Sequence, residues 1–332
     1  MKSITLILIC IISAQMLKSQ ESKPVLDIML TNYEYPFPVT YMNFKSQGKD
    51  LEMAYMDVKP PSPNGKTIVL LHGKNFNGAY WRTTTQALIK QGFRVIAPDQ
   101  VGFGKSSKPT GYQYSFQQLA INTKALLSEL KVEKIYLLGD SMGGMLATRF
   151  TLMFPETVEK LVLEDPIGLE DWKVVTPYTS VDDNYQKELN ATLESAKKYQ
   201  MESYYDNQWK PAYDEWLYLS AGWTKAPDYP VVAMNNALTS DMIFTQPVVY
   251  EFSNIAVPTL LIIGTRDRTA IGKELIKDPT VRAKMGRYQL LGKATQKKIR
   301  GSQLVELENV GHLPHIEAFD KFIKPLEDFI KQ

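Results

Sequence analysis

Gly139-Asp140-Ser141-Met142-Gly143-Gly144 is the stretch whose residue types and spacing can do chemistry. The apolar run Ile135–Leu138 ends in it abruptly, and the helix-compatible run Met145–Leu152 follows. A serine flanked by glycines two positions away on either side, at a strand-to-helix turn, has the form of a nucleophile elbow. Such a turn is so tight that only small residues fit at the flanking positions, and it sets the hydroxyl at its tip. A serine hydroxyl is a poor nucleophile at its own pKa and needs an adjacent base. The chain has 3 histidines. His72 precedes Gly73 in a turn and reads as a brace for that loop. His315 opens the last helix and reads as a surface or packing residue. His312 follows a strand in a Gly-containing loop and is the expected base. The chain order nucleophile, acid, histidine also places the base after the last strand.

A base of this kind needs a carboxylate to hold its tautomer and stabilise the imidazolium. Asp267, just past the apolar run Thr259–Gly264, leads on the same chain order, although it could equally cap a helix or pair with Arg266 or Arg268. Asp165, after the preceding strand, is the alternative acid, and Glu164 beside it is weaker. Acyl transfer also requires donors for the tetrahedral oxyanion. The backbone N–H of Met142 is one, and the turn after His72-Gly73 supplies the other from Lys74 or a neighbour.

The elements that must position these groups alternate. Tyr41–Ser46 and Leu51–Val58 read as a hairpin. Apolar runs at Thr67–Leu71, Phe93–Ala97, Lys134–Leu138, Lys160–Leu163, Pro258–Gly264 and Gln303–Leu307 read as buried strands. Segments with helical spacing separate them, including Tyr80–Lys90, a helix capped by Ser115, and the C-terminal run Ile316, Phe319, Ile323, Leu326, Ile330. The pattern predicts an α/β fold, a mostly parallel, doubly wound sheet with helices on both faces. Functional groups in such sheets gather at the strands' C-terminal ends, where His72, Asp99, Ser141, Asp165 and Asp267 all fall. The rhythm breaks near Pro166 in a segment rich in aromatics, which reads as a helical insertion roofing Ser141.

With these residues in order, the chain resembles the α/β-hydrolase superfamily over residues 40–331. The likeness is carried by His72-Gly73, Asp99 with Gly102-x-Gly104-x-Ser106, Gly139-x-Ser141-x-Gly143-Gly144, the run from Pro258 to Asp267, and Gly311-His312. The resemblance implies a Ser141/Asp267/His312 triad and an oxyanion hole at the Lys74 and Met142 N–H groups. It also implies a helical cap at 166–245 between core segments 21–165 and 246–332, and a structural role for Asp99 and the glycines after it. Some members of the superfamily use an aspartate nucleophile. Asp140 would then need small residues at 138 and 142, where Leu138 and Met142 stand, so Ser141 keeps the role. What Asp140 does is open. The expected activity is a serine hydrolase acting on a carboxylic ester. Hydrolysis of a carbon–carbon or other acyl bond on the same triad, and a ligand-binding protein with little turnover, are the alternatives.

Composition bounds the rest. The formal net charge is +2, and Lys2 and Lys18 are the only charges in residues 1–20, so the remaining chain is formally neutral. That leaves no electrostatic footprint for nucleic acid, and a small-molecule substrate is the expected partner. The histidines lack ligand spacing, and Gly102-x-Gly104 lacks the third glycine of a dinucleotide fingerprint, so neither a metal nor a cofactor is expected. Lys2 followed by the apolar run Ile4–Ile12 reads as a signal peptide over residues 1–20 that contains the single cysteine, Cys10. The expectation is export to the periplasm or medium with no membrane span in the mature form. The alternative is an uncleaved N-terminal anchor. The basic charges from Lys273 to Arg300 read as a solvated face.

Overall fold

The structure is a computed structural model, and it describes residues 23–332. The expected targeting segment over residues 1–20, with Cys10, lies outside the described residues. Eight strands form one sheet: β1 (Val39–Ser46), β2 (Lys49–Val58), β3 (Thr67–Leu71), β4 (Arg94–Pro98), β5 (Ile135–Asp140), β6 (Val158–Glu164), β7 (Thr259–Gly264) and β8 (Gln303–Leu307). Their spatial order is β1-β2-β4-β3-β5-β6-β7-β8. Strands β3 to β8 run parallel, and only the β1–β2 hairpin and its pairing with β4 are antiparallel. The hairpin closes through Gln47-Gly48, both with positive φ (51° and 73°), the two-residue turn whose twist matches that of the strands.

The side-chain alternation of the central strands explains why helices cover both faces. Val69, Leu71, Leu137, Leu161, Leu163, Leu261 and Ile263 point into one core with Leu119, Leu146 and Phe150. Ile68, Leu70, Leu138, Val162, Leu260 and Ile262 point into the other with Leu88, Phe322, Leu326 and Phe329. Burying each of these side chains contributes about 1.5–3 kcal/mol, so the strand ends are fixed points. The helices named in the first core are α2 (Phe116–Glu129, capped by Ser115 Oγ accepting from Gln118 N–H) and α3 (Met142–Met153). On the opposite face lie α1 (Arg82–Lys90), preceded by a 3₁₀ turn at Gly78–Trp81, and α11 (Phe319–Lys331).

Between β6 and β7 stand α4 (Val181–Leu189), α5 (Leu193–Ser203), α6 (Asp214–Ala221) and α7 (Tyr229–Thr245). The short α8 (Pro279–Arg282) and α9 (Tyr288–Lys298) precede β8, and α10 (Pro314–Glu317) precedes α11. The C-terminal segment departs from its sequence reading. It splits at Ala318, and Phe322, Leu326, Phe329 and Ile330 form the buried stripe, while Ile316, Phe319 and Ile323 sit at its half-buried margin. Lys277, Arg282, Lys284, Arg287, Lys293, Lys297, Lys298 and Arg300 are exposed, as a solvated face requires, whereas Lys273 is half-buried and donates to the Met285 carbonyl at 3.2 Å. Among the described residues no helix is long and apolar enough to cross a membrane.

Candidate active site

Ser141 sits between the end of β5 and the start of α3 with φ 55° and ψ −119°, a strained conformation for a residue with a Cβ. The close approach that creates this turn explains its glycines. A Cβ at Gly139 would stand 2.1 Å from the Gly143 carbonyl oxygen, and one at Gly143 would stand 2.1 Å from that of Leu71. The Ser141 N–H donates to the Glu164 carbonyl at 3.2 Å, and Ile167 N–H donates to the Ser141 carbonyl at 3.2 Å, which ties the turn to the end of β6. Because α3 begins at Met142, that residue's N–H is a first-turn donor without an intrahelical partner.

The structure brings the three expected residues together from three strand ends. Ser141 Oγ lies 2.9 Å from His312 Nε2, and His312 Nδ1 lies 2.6 Å from Asp267 Oδ2. With Nδ1–H donating to Asp267, Nε2 is left to accept the serine proton. The other Asp267 oxygen accepts from Thr269 N–H at 2.7 Å, which fixes the carboxylate plane. Asp267 and His312 are fully buried, and Ser141 is 8% exposed. Burial pulls the His312 pKa down, but the charge and hydrogen bond of Asp267, helped by Asp140 and Glu164, outweigh it and leave it raised. The alternative acid does not reach the base. Asp165 accepts from Gly264 N–H at 2.9 Å, a bond across neighbouring strand ends. Burial, then the charge of Asp267, pushes its carboxyl well above the usual range. Glu164 is likewise taken up elsewhere: its Oε1 accepts from both the His315 N–H and its ring Nδ1 at 2.9 Å.

The other histidines are structural. His72 Nδ1–H donates to the Gly73 carbonyl at 2.8 Å, and its Nε2 accepts from Gln100 N–H at 3.0 Å. It therefore braces the loop after β3 against the loop after β4. His315 is buried, stacked on Trp81 at 4.3 Å, which excludes the surface reading. Asp99 accepts from Gly78 N–H, Lys105 N–H and Tyr35 O–H, each at 2.7 Å, and so holds the loop that follows it. The loop carrying Lys74 passes directly against Ser141, since a Cβ at Gly73 would lie 3.2 Å from Ser141 Cβ. The Lys74 ammonium turns to Glu188 of α4 at 3.9 Å.

Several neighbours of Ser141, His312 and Asp267 carry no signal in the sequence. Tyr204, after α5, stacks on the His312 ring at 4.7 Å, accepts from His312 N–H through its carbonyl at 3.3 Å, and accepts from Asn75 Nδ2 through its hydroxyl at 2.9 Å. Glu317 pairs with Arg266 and accepts from Gly311 N–H at 2.8 Å, locking the histidine loop to the acid loop. Asp140, Glu164 and His315 bring donor atoms within 4.8 Å of one another, a juxtaposition that histidine spacing could not reveal. Asp140 Oδ2 accepts from Tyr80 and Glu164 Oε1 from His315, while Asp140 Oδ1, Glu164 Oε2 and His315 Nε2 are buried without a hydrogen-bond partner. A small cavity of about 20 Å³ lies beside the Lys74 loop, lined by Lys74, Asn75, Phe76, Phe103, Leu219 and Trp223 among others.

Residues 66–319 match the family model of the alpha/beta hydrolase fold. The crystal structure of a probable hydrolytic enzyme from Pseudomonas aeruginosa PAO1 superposes with a TM-score of 0.91 at 49% identity, over 93% of this chain and 99% of that one. An esterase from Exiguobacterium antarcticum superposes with a TM-score of 0.69 at 20% identity, over 88% of this chain and 100% of that one, a likeness of fold. The 2-hydroxy-6-oxo-2,4-heptadienoate hydrolase of Pseudomonas putida is 36% identical over 108 residues, 32% of this chain and 39% of the relative's length. The chain belongs to the alpha/beta hydrolase fold family.

Proposed function

We propose that the protein cleaves a carboxylic ester through an acyl-enzyme on Ser141. The observation that carries this reading is the continuous hydrogen-bonded line from Ser141 Oγ through His312 to Asp267 at a strained elbow. His312 Nε2 takes the serine proton as Oγ attacks the substrate carbonyl, and Asp267 stabilises the imidazolium. The N–H groups of Met142 and Lys74 bind the oxyanion, where a single donor is worth about 10²–10³ in rate. His312 then returns the proton to the leaving alcohol and activates the water that releases the acid. The helices between β6 and β7 act as a lid in this reading, over a small-molecule substrate bound at Ser141. Export by the N-terminal segment is part of the same proposal, tested by whether the protein fractionates outside the cytoplasm.

A second reading, hydrolysis of a carbon–carbon bond beside a carbonyl, is favoured by the match to the dienoate hydrolase. Short and medium-chain p-nitrophenyl esters assayed against 2-hydroxy-6-oxo-dienoates separate the two. Ester turnover that disappears in Ser141→Ala supports the first reading, and turnover of the dienoates alone replaces it with the second.

A further inference from the structure

Asp140 is fully buried immediately before Ser141, yet it makes no hydrogen bond to any residue of the triad. Its Oδ2 accepts from the Tyr80 hydroxyl at 3.1 Å. The same phenol oxygen accepts from Gly73 N–H at 2.9 Å. One hydroxyl thus joins the residue that precedes the nucleophile to the residue that precedes Lys74. The geometry is tight, because a Cβ at Gly73 would lie 3.1 Å from Asp140 Oδ2 and 3.2 Å from Ser141 Cβ. Tyr80 itself has little freedom. Its ring stacks on Phe76 at 5.0 Å and meets Trp81 and His315 edge-on at 4.7 Å and 4.6 Å.

We propose that Tyr80 and Asp140 are positioning residues that set the spacing between the two oxyanion-binding N–H groups, those of Lys74 and Met142. The proposal rests on the acyl-transfer reading of Ser141. Its physical reason is that an oxyanion donor acts only when held about 2.7–3.1 Å from the developing charge. The two donors here come from different segments, the loop after β3 and the turn after β5. Hydrogen bonds along β3 and β5 hold those segments up to Leu71 and Gly139, and beyond that point the Tyr80 hydroxyl carries the link. Burial, and then the neighbouring Glu164 carboxyl, pushes the Asp140 pKa well above the usual carboxylate range. A neutral acceptor therefore suffices, and asparagine, of the same shape, supplies one.

The test measures kcat and KM for a p-nitrophenyl ester in the wild type, Ser141→Ala, Tyr80→Phe, Asp140→Asn and Asp140→Ala, with thermal melts confirming folding at the assay temperature. Misplacing a catalytic group by about 1 Å costs on the order of 10² in rate. Tyr80→Phe and Asp140→Ala are expected to lower kcat about 10- to 100-fold with KM changed by less than about 3-fold, and Asp140→Asn to restore most of kcat. Tyr80→Phe removes one oxygen and nothing else, so it serves if Asp140→Ala does not fold. A folded Tyr80→Phe with wild-type kcat, or an Asp140→Asn as impaired as Asp140→Ala, overturns the positioning role while Ser141-dependent turnover stands. Wild-type protein without Ser141-dependent turnover overturns the acyl-transfer reading itself, and the positioning role with it.

Discussion

At His312 two opposing effects act on the imidazole, and their balance sets a measurable pH dependence. Burial disfavours the cation, while Asp267 at 2.6 Å, together with Asp140 and Glu164 behind it, outweighs burial, so the ring titrates above its ordinary 6.5. Only the neutral ring can take the Ser141 proton. Activity is therefore lost as pH falls through this raised value, and the acid limb of kcat/KM is expected above 6.5. Asp267→Asn should move that limb down and lower kcat on the order of 10⁴-fold, through loss of the correct tautomer. A wild-type limb below 6.5 would contradict the assignment of Asp267. At this scale much of the site is legible in the sequence, because glycine spacing marks Ser141 and the scarcity of histidine isolates His312. Asp140 is not legible, because its partner Tyr80 stands 60 residues away and nothing local announces the pairing.

The elements divide according to how local their causes are. Unbroken apolar runs mark β3, β5 and β7, because a strand buried on both faces can carry little else. The split between α10 and α11 and the tilt of the buried stripe toward Phe322 and Phe329 depend on packing against the sheet, which helical spacing alone does not register. The segment between β6 and β7 is rich in aromatics, and those rings do two things. Tyr205 and Tyr213 stack on each other at 3.8 Å as a small core, whereas Tyr204 packs on the His312 imidazole. This makes α5 and its C-terminal turn a support for His312. An aromatic stack is worth about 0.5–1.5 kcal/mol beyond its buried area, so Tyr204→Ala should lower kcat/KM up to about tenfold. Tyr204→Phe keeps the ring and should lose less, which steady-state kinetics of the two variants would establish.

Over the whole molecule, the strand ends concentrate buried carboxyls: Asp140, Glu164, Asp165 and Asp267 all lie at the C-terminal edge of the sheet with no exposure. Asp140, Glu164 and Asp165 have their pKa values raised, all three first by burial, and Asp140 and Asp165 further by neighbouring carboxyls, Asp267 among them. A carboxyl that holds its proton in the fold and loses it on unfolding above about pH 4 makes unfolding release a proton. The stability it contributes is complete below that unfolded value and is lost as pH rises through the raised folded value. Asp165→Asn keeps the acceptor for Gly264 N–H and removes the titration. Its melting temperature should therefore fall less steeply than that of the wild type as pH rises from about 4 toward neutrality, and its hydrolytic activity should persist, since Asp165 does not touch His312. A loss of activity comparable to that of Asp267→Asn would return Asp165 to the role of triad acid. The central claim, that the folded chain presents Ser141 as an activated nucleophile, is tested most directly by labelling with a fluorophosphonate probe followed by peptide mass spectrometry. The account predicts one adduct, on Ser141, absent in Ser141→Ala and weak in His312→Ala, whereas folded wild-type protein that takes no label, or takes it on another residue, would contradict it.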